Sequence, residues 1–215
     1  GRQDLDKLYR DMDDADAFLF QVTSSDSAWG EIEEYAEKFE TPIIYVGGES
    51  AGKIKTKDQM KHSAICNQFY VYSGAENMVN MMKYICSQVL HEEMDYQEPI
   101  FIPWEGIFHP NSKEIFQSTK DYFAWKEPSG KGTIALLVSR TAWLSGDIEV
   151  ERALIKHIEK NGYTALPIFS YAMADIDLGA KGTAYAIETF CFDGYGQPIV
   201  DGVIRMTGFF LQDTD

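Results

Sequence analysis

The sequence predicts an α/β fold in which parallel-sheet βαβ units, of the flavodoxin- or Rossmann-like kind, are joined by a mainly helical connector. Short continuous apolar runs are typical of strands buried on both faces, and segments with helical periodicity lie between them. A cluster of proline and glycine at residues 128–132 precedes the clearest unit. We therefore expect a partial α/β unit over residues 1–48, a helical region with a proline-containing connector over 49–128, and a second α/β unit, truncated at its C-terminal end, over 129–215.

The first unit is expected to alternate helix and strand. Apolar residues at helical spacing predict a helix over residues 5–12, and the apolar run 17–22 predicts a buried strand. Asp26 or Ser27 can cap a second helix, whose apolar face runs over residues 32–39. Ile43–Val46 is the next strand, and the short connections predict a right-handed parallel crossover.

The rest of the chain is predicted as helices followed by a second crossover. Helical spacing dominates residues 49–128, with Met60, Ala64, Asn67, Gln68 and Val71 along one stretch, and prolines at positions 99, 103 and 110 predict an extended connector. Thr133–Ser139 is then a strand, residues 148–160 a helix and residues 164–169 a strand. A helix near 183–192 and a strand near 203–210 extend this unit.

Charge and composition exclude several kinds of partner. With 34 acidic against 19 basic residues and a net charge of −15, the chain would repel nucleic-acid phosphates and anionic lipid. No run approaches the roughly 18 apolar residues of a membrane span, and the first residues do not combine a positively charged segment with an apolar one as an export signal would. The three cysteines include no C-x-x-C pair, so we expect neither disulfides nor a zinc site, and a cytoplasmic location fits best.

A glycine-rich loop after the second strand resembles a phosphate-binding loop but lacks a required residue. Residues 47–53 satisfy G-x-x-x-x-G-K, yet Ile54 stands where a Ser or Thr would hold magnesium. Glu49 inside the loop would also repel phosphate. We therefore predict no nucleotide-binding site here and interpret the loop as a solvated turn.

No metal site is predicted either. His62 and Cys66 share a helix face, but two ligands without a third do not define a site, and we interpret both as helix-surface residues. The methionines near position 80 lie at helical spacing and indicate packing, while the aspartates at positions 11–16 lack the pattern of a calcium loop.

Arg140, Trp143 and Asp147 form the first candidate binding site. They follow the strand Thr133–Ser139, and ligands of open parallel sheets gather beyond the carboxyl ends of the strands. Arginine can grip a carboxylate, tryptophan can stack on a flat ligand and aspartate can bind a polar group. In the structural alternative, Asp147 caps the next helix and Gly146 relieves the turn, while Trp143 packs in the core and Arg140 balances the acidic surface.

Glu105 and His109 form the second candidate. They lie four positions apart in the connector, so they could pair, orient a ligand that bears carboxylates, or take a proton. Alternatively, the connector is simply pinned to a domain surface and a backbone carbonyl satisfies His109. Neither candidate identifies a catalytic residue.

Seven blocks of sequence carry a resemblance to a known family. They are DLDKLYRDMDDADAFLFQV at residues 4–22, TPIIYVGG at 41–48, SGAENMVNMMKYI at 73–85, WEGIFHP at 104–110, KDYFAWKEP at 120–128, ALLVSRTAWLSGD at 135–147 and IVDGVIRMTGFFL at 199–211. Their order and spacing resemble the large, tetrapyrrole-binding subunit of the ATP-dependent cobaltochelatases and magnesium chelatases. WEGIFHP is similar to the family's E-G-I-Y-H-P element, with Phe108 where tyrosine is common. The chain is accordingly expected to be a fragment from the N-terminal side of a much longer subunit.

The resemblance implies a function for the parent protein. Such a subunit holds a tetrapyrrole while Co²⁺ or Mg²⁺ is inserted in cobalamin or (bacterio)chlorophyll biosynthesis, and ring-forming partner subunits hydrolyse ATP with Mg²⁺. The resemblance is closer to the cobalt branch. We expect the fragment itself to bind no cofactor and to be inactive alone, with Arg140, Trp143, Asp147, Glu105 and His109 as candidates for binding or gating the macrocycle.

Two other classes of function remain open from the residues alone. A flavodoxin-like, non-enzymatic module that binds a small acidic molecule would have the same α/β pattern. A nucleotide-binding protein would depend on the incomplete glycine loop and on Lys53.

Overall fold

The computed structural model describes residues 2–21, 28–38, 41–48 and 53–207, beginning with two helix–strand pairs. Helix α1 (Arg2–Asp13) leads into strand β1 (Phe18–Gln21), and α2 (Ala28–Ala36) leads into β2 (Ile43–Val46). The two strands are parallel, with Phe18 opposite Ile43, which confirms the predicted arrangement. The expected caps Asp26 and Ser27 lie outside the described residues.

Two longer helices follow, and the first packs on β2. Helix α3 (Lys57–Tyr72) starts with a capping box between Thr56 and Gln59, and α4 (Ala75–Tyr84) continues into a π-helical turn, Ile85–Val89. The residues predicted along α3 were right only in part: Asn67 and Val71 are partly buried, whereas Met60, Ala64 and Gln68 are exposed. The fully buried residues are Ser63, Cys66 and Phe69. Polar residues face inward because they complete the strand edge: Ser63 Oγ accepts the Tyr45 N–H at 2.9 Å, and Asn67 Oδ1 accepts that of Gly47 at 2.9 Å.

An extended segment over residues 91–102 is tied to α4 by two asparagines. The Asn77 side chain donates to the Ile100 carbonyl and accepts the Ile100 N–H, both at 2.8 Å. Asn80 Oδ1 accepts the Gln97 N–H at 2.9 Å. The absence of helix in this segment confirms the extended connector that the prolines predict.

The remaining elements form a second, four-stranded sheet. They are β3 (Gly106–Ile107), α5 (Thr119–Trp125), β4 (Thr133–Ser139), α6 (Arg140–Ser145), α7 (Glu149–Lys160), β5 (Thr164–Ser170), α8 (Gly182–Cys191) and β6 (Gly202–Arg205). The strand order is β3-β5-β4-β6, with β4 parallel to both neighbours and β3 antiparallel to β5. The second crossover is confirmed; α6 and the antiparallel β3 were not predicted.

Apolar side chains cover both faces of this sheet. On one face, Ala135, Leu137 and Ile168 pack with residues of α5 and α8, whereas on the other Leu136 and Val138 pack with residues of α7. This alternation explains why β4 and β5 read as continuous apolar runs.

The chain divides into two compact units, Gly1–Ile102 and Pro103–Asp215, each with its own core. The boundaries expected after residues 48 and 128 fall inside these units. Helix α3 packs on β2, which joins the helical region to the first unit, and β3 pairs with β5, which joins the end of the connector to the second.

Candidate functional site

The carboxyl ends of β4 and β5 bring Arg140 and Glu105 to the same edge of the second sheet. Arg140 is the first residue of α6, which follows β4 directly. Glu105 comes just before β3, and because β3 runs antiparallel to β5, the start of β3 lies at the carboxyl end of β5, where Gly106 pairs with Phe169. This is the edge at which ligands of parallel sheets bind.

Arg140 is buried at this edge against an aromatic ring. Its guanidinium carbon lies 4.3 Å from the centre of the Trp104 ring, and Nε donates to the Pro103 carbonyl at 2.9 Å. Burial lowers the pKa of Arg140 to about 10, while Tyr171 and Glu105 oppose the shift. With only 3% of its surface exposed, Arg140 does not balance the acidic surface, and it fixes residues 103–104 against the start of α6.

Glu105 binds the N-terminus of α8. Its Oε1 accepts the backbone N–H groups of Lys181 at 2.8 Å and Gly182 at 2.7 Å. A carboxylate at this position compensates the positive end of the helix dipole. The pairing with His109 that the spacing suggested is therefore wrong, because each of these side chains has another partner.

Trp143 and Asp147 follow Arg140 in sequence, the first within α6 and the second just after it. The Trp143 ring stacks on Phe169 with centres 3.9 Å apart and planes 10° apart, so one of its faces is committed to the protein. Asp147 is exposed and does not cap α7, because the N-cap residue is Ile148 and no side chain caps it. Gly146 ends α6 in the left-handed conformation at φ 78°, as the structural alternative required.

The segment between β5 and α8 also lies at this edge and was missed in the sequence. Backbone hydrogen bonds between Asp175 and Ala180, at 2.8 and 3.0 Å, close it into a turn. Ile176 is 96% exposed at the tip, and Met173 is exposed beside it. Two apolar residues after a parallel strand were the signal available in the sequence for an exposed loop at this edge.

His109 lies toward the opposite edge of the same sheet. Its Nδ1 accepts the Asn111 N–H at 3.2 Å, so Nε2 carries the proton and donates to Glu159 Oε1 at 3.0 Å. The same oxygen receives Lys126 Nζ at 2.7 Å. Burial lowers the pKa of His109, opposed by Glu159, so the imidazole is neutral. A carboxylate, not the expected backbone carbonyl, satisfies this histidine.

The other sequence features have structural partners. His62 Nδ1 makes a 2.9 Å hydrogen bond with the Tyr84 hydroxyl, and Cys66 is fully buried, which corrects its interpretation as a surface residue. Residues 49–52 of the glycine loop lie outside the described part of the chain. Among the described residues, no group of three or more His, Cys, Asp or Glu side chains could hold a metal ion.

The carboxyl edge combines a buried cation, a carboxylate on a helix end and exposed apolar side chains on a closed turn. None of the helices in the described ranges is long and apolar enough to cross a membrane.

Comparisons with known proteins identify relatives across most of the chain. A family model described as CobN/Magnesium Chelatase matches residues 67–215. An uncharacterized protein of Methanocaldococcus jannaschii is 26% identical over 206 residues, which is 96% of this chain and 15% of that protein. The chloroplastic magnesium-chelatase subunit ChlH of Oryza sativa subsp. indica is 24% identical over 159 residues, which is 67% of this chain and 11% of that subunit.

A solved structure shares the fold. The catalytic subunit of cobaltochelatase from Mycobacterium tuberculosis matches with a TM-score of 0.57 and 19% identity, over 81% of this chain and 15% of that one. The chain therefore spans only 11% to 15% of the length of these three relatives.

Proposed function

Because the chain belongs to the CobN/magnesium chelatase family, we propose that it forms part of a large subunit that holds a tetrapyrrole while a divalent metal ion is inserted. The observation that carries this proposal is the family match over residues 67–215, which includes all of the second sheet. The substrate ion would be Co²⁺ or Mg²⁺, with cobalt preferred on the sequence resemblance. ATP would be hydrolysed, with Mg²⁺, by separate ring-forming subunits.

The proposal extends to where and how the larger protein works. It would act in cobalamin or (bacterio)chlorophyll biosynthesis, as a ligase that forms nitrogen–metal bonds. The proposed location is the cytoplasm, a reducing compartment in which thiols such as Cys66, Cys86 and Cys191 of this chain stay free.

Within that subunit, the carboxyl edge of the second sheet would shape or gate the macrocycle site. Arg140 and Glu105 would act as positioning residues, because their contacts fix Trp104 and the N-terminus of α8. The exposed part of Trp143 and the Asp147 carboxylate would be available to a ligand. A flat macrocycle needs stacking surface and its acidic arms need polar partners, so groups of both kinds at one edge support this role.

The rival interpretation as a flavodoxin-like module has a specific obstacle. A ligand phosphate in such modules binds to backbone N–H groups at a helix N-terminus beside the strand ends. In α8, the N–H groups of Lys181 and Gly182 are already bound by Glu105. This helix end cannot accept a phosphate unless Glu105 moves away.

A fluorescence titration with deuteroporphyrin IX, a metal-free tetrapyrrole with propionate arms, tests the proposal. The chain has four tryptophans, and bound porphyrin should quench those near it. We expect saturable quenching in the micromolar range and loss of much of the quenched signal in Trp143→Phe. Trp125→Phe is the matched control, since Trp125 packs beside His109 at the other edge.

The outcomes separate the alternatives. Equal loss of quenching in both variants would contradict a site at the carboxyl edge, and no saturable quenching would remove the macrocycle-binding role from this part of the subunit. Arg140→Lys tests positioning, because it keeps the charge but loses the Nε bond to Pro103. Binding of ATP alone, abolished by Lys53→Ala, would favour the nucleotide-binding alternative.

A further inference from the structure

We propose a second, anion-binding site in the cleft between the turn that follows β3 and one face of α7. The cleft has a volume of about 340 Å³ and is lined by Pro110, Asn111, Arg152 and Lys156, with His109, Ile155 and Glu159 at its base. That size suits one small organic anion or a phosphate. The site lies at the edge of the sheet opposite to Arg140, and its existence does not rest on the chelatase function.

The cations of the cleft have little charge compensation within the described residues. Arg152 and Lys156 are one turn apart on the same face of α7 and both are exposed. The nearest carboxylate to Arg152 is that of Glu149, at 3.9 Å and 88% exposed, which makes it a weak partner. No ion pair to Lys156 occurs in the described part of the chain.

The carboxylate of the cleft, Glu159, is already neutralised by its neighbours. Lys126 Nζ and His109 Nε2 both bind its Oε1, at 2.7 and 3.0 Å. These contacts lower the pKa of Glu159 despite its partial burial, so it stays ionised and paired. The cleft is consequently a local region of positive charge on a chain whose net charge is −15.

His109 makes this cleft rigid. Its ring is buried against Trp125 and Tyr122, and its two nitrogens join the turn at Asn111 to α7 at Glu159. The Ser112 N–H closes the turn on the His109 carbonyl at 2.9 Å. The turn at Asn111 and α7 already hold fixed positions, so a ligand that binds Arg152 and Lys156 would not have to order them.

The chemistry recognised is a group with several anionic oxygens. An arginine side chain can bind two such oxygens with paired N–H groups, and a lysine adds a point charge. Carboxylate and phosphate share this chemistry, so the ligand would be a small carboxylic acid, an acidic side arm of a larger molecule, or a phosphorylated metabolite. Because both cations are exposed, we expect millimolar affinity for a minimal anion.

Proton–nitrogen correlation spectra of the ¹⁵N-labelled chain test the site. Sodium phosphate and sodium succinate are added separately at constant ionic strength, near pH 7.5, where phosphate is largely doubly charged. We expect saturable shifts of the Asn111 amide and of the Arg152 side-chain N–H. Tighter binding of phosphate would indicate a phosphorylated ligand, and tighter binding of succinate a carboxylate.

Matched variants distinguish a site from diffuse attraction. Arg152→Gln and Lys156→Gln should each weaken binding about fivefold, which corresponds to about 1 kcal/mol. Lys160→Gln removes the same charge from the same helix but not from the cleft, and should leave the affinity unchanged within about twofold. Shifts that do not saturate, or an equal loss in Lys160→Gln, would overturn the proposal.

Discussion

At the scale of single residues, the His109 network links charge to stability. The imidazole faces Glu159 and Lys126 and packs against the rings of Tyr122 and Trp125. A proton added at Nδ1 would point at the Asn111 N–H, which needs that nitrogen as acceptor. Protonation of His109 would therefore break its hydrogen bond with the Asn111 N–H and destabilise this turn.

The second unit should lose stability as the pH falls below about 6.5, the pKa of an unfolded histidine. Burial lowers the pKa of His109 in the folded state, so the unfolded state binds more protons once the pH is below that value. The free energy of unfolding therefore keeps its full value above about pH 6.5. It decreases as the pH falls from there through the pKa that His109 has in the folded state. Urea unfolding at pH about 7.5 and about 5.5, followed by tryptophan fluorescence, measures the loss.

The variant His109→Gln should lose less stability over the same interval, because glutamine does not titrate. His62→Gln is the control: burial also lowers the pKa of His62, but this histidine belongs to the first unit. Trp104, Trp125 and Trp143 report on the second unit and should show the unaltered pH dependence in His62→Gln. If His109→Gln and the unaltered chain lost the same free energy of unfolding between the two pH values, the pH dependence would not be due to His109.

The Asn77 side chain should make a large contribution to the free energy of unfolding. Its buried side chain satisfies both polar groups of the Ile100 backbone and donates to the Ser73 carbonyl. Asn77→Ala leaves the Ile100 groups without these partners, at a cost of about 1–3 kcal/mol. Val79→Ala on the same helix, 54% exposed, should cost under about 0.5 kcal/mol, and equal urea midpoints for the two variants would contradict this role.

Residue spacing predicted which side chains matter to the fold, but not how they pair. Glu105 and His109 are four apart, which would bring them together on a helix, yet β3 lies between them. Extended chain advances about 3.3 Å per residue, so the two side chains end about 13 Å apart at opposite edges. Their true partners, Gly182 and Glu159, are 77 and 50 residues away, and such distant pairings leave no local signal.

At the scale of elements, two glycines in the left-handed conformation mark helix boundaries with different surroundings. Gly146 ends α6 at φ 78° with open space where a Cβ would be. Gly182 begins α8 at φ 80°, and a Cβ there would lie 2.6 Å from the Met173 carbonyl carbon and 2.7 Å from the Ala174 nitrogen. The segment between β5 and α8 is therefore packed directly on the helix start.

Substituting the two glycines by alanine should separate backbone strain from steric clash. Gly146→Ala should cost about 1 kcal/mol, the penalty for a left-handed alanine. Gly182→Ala carries the same penalty and must also move backbone atoms, which adds about 1–3 kcal/mol. Urea unfolding measures both, and an equal cost would mean that residues 173–174 do not pack on Gly182 as described.

The elements that could be predicted are those with long periodic patterns. β4, α7 and β5 have apolar runs or amphipathic repeats that span their full length, and all three were predicted within two residues. β3 has two residues and α6 has six, too few for a period to appear. Ser63 was missed on the inward side of α3 because it is polar, yet it accepts a hydrogen bond from a strand edge, as the predicted Asn67 also does.

At the scale of the whole molecule, the order of the sequence blocks predicted the family. Block order pointed to the family that the comparisons show, although two of the relatives are only 24–26% identical to this chain. Unit boundaries were harder to place. They depend on long-range contacts, such as the pairing of Gly106 with Phe169, that neither proline positions nor periodicity reveal.

The second unit, residues 103–215, should fold without the first. Both of its core clusters consist of residues from this unit alone, on the two faces of one sheet. Expressed separately, it should unfold cooperatively in urea with a midpoint equal to that of the corresponding transition in the whole chain. Trp104, Trp125 and Trp143, three of the chain's four tryptophans, report on this unit in both cases. A separate unit that lacks a cooperative transition, while the whole chain shows one, would mean that these core clusters are not sufficient for folding.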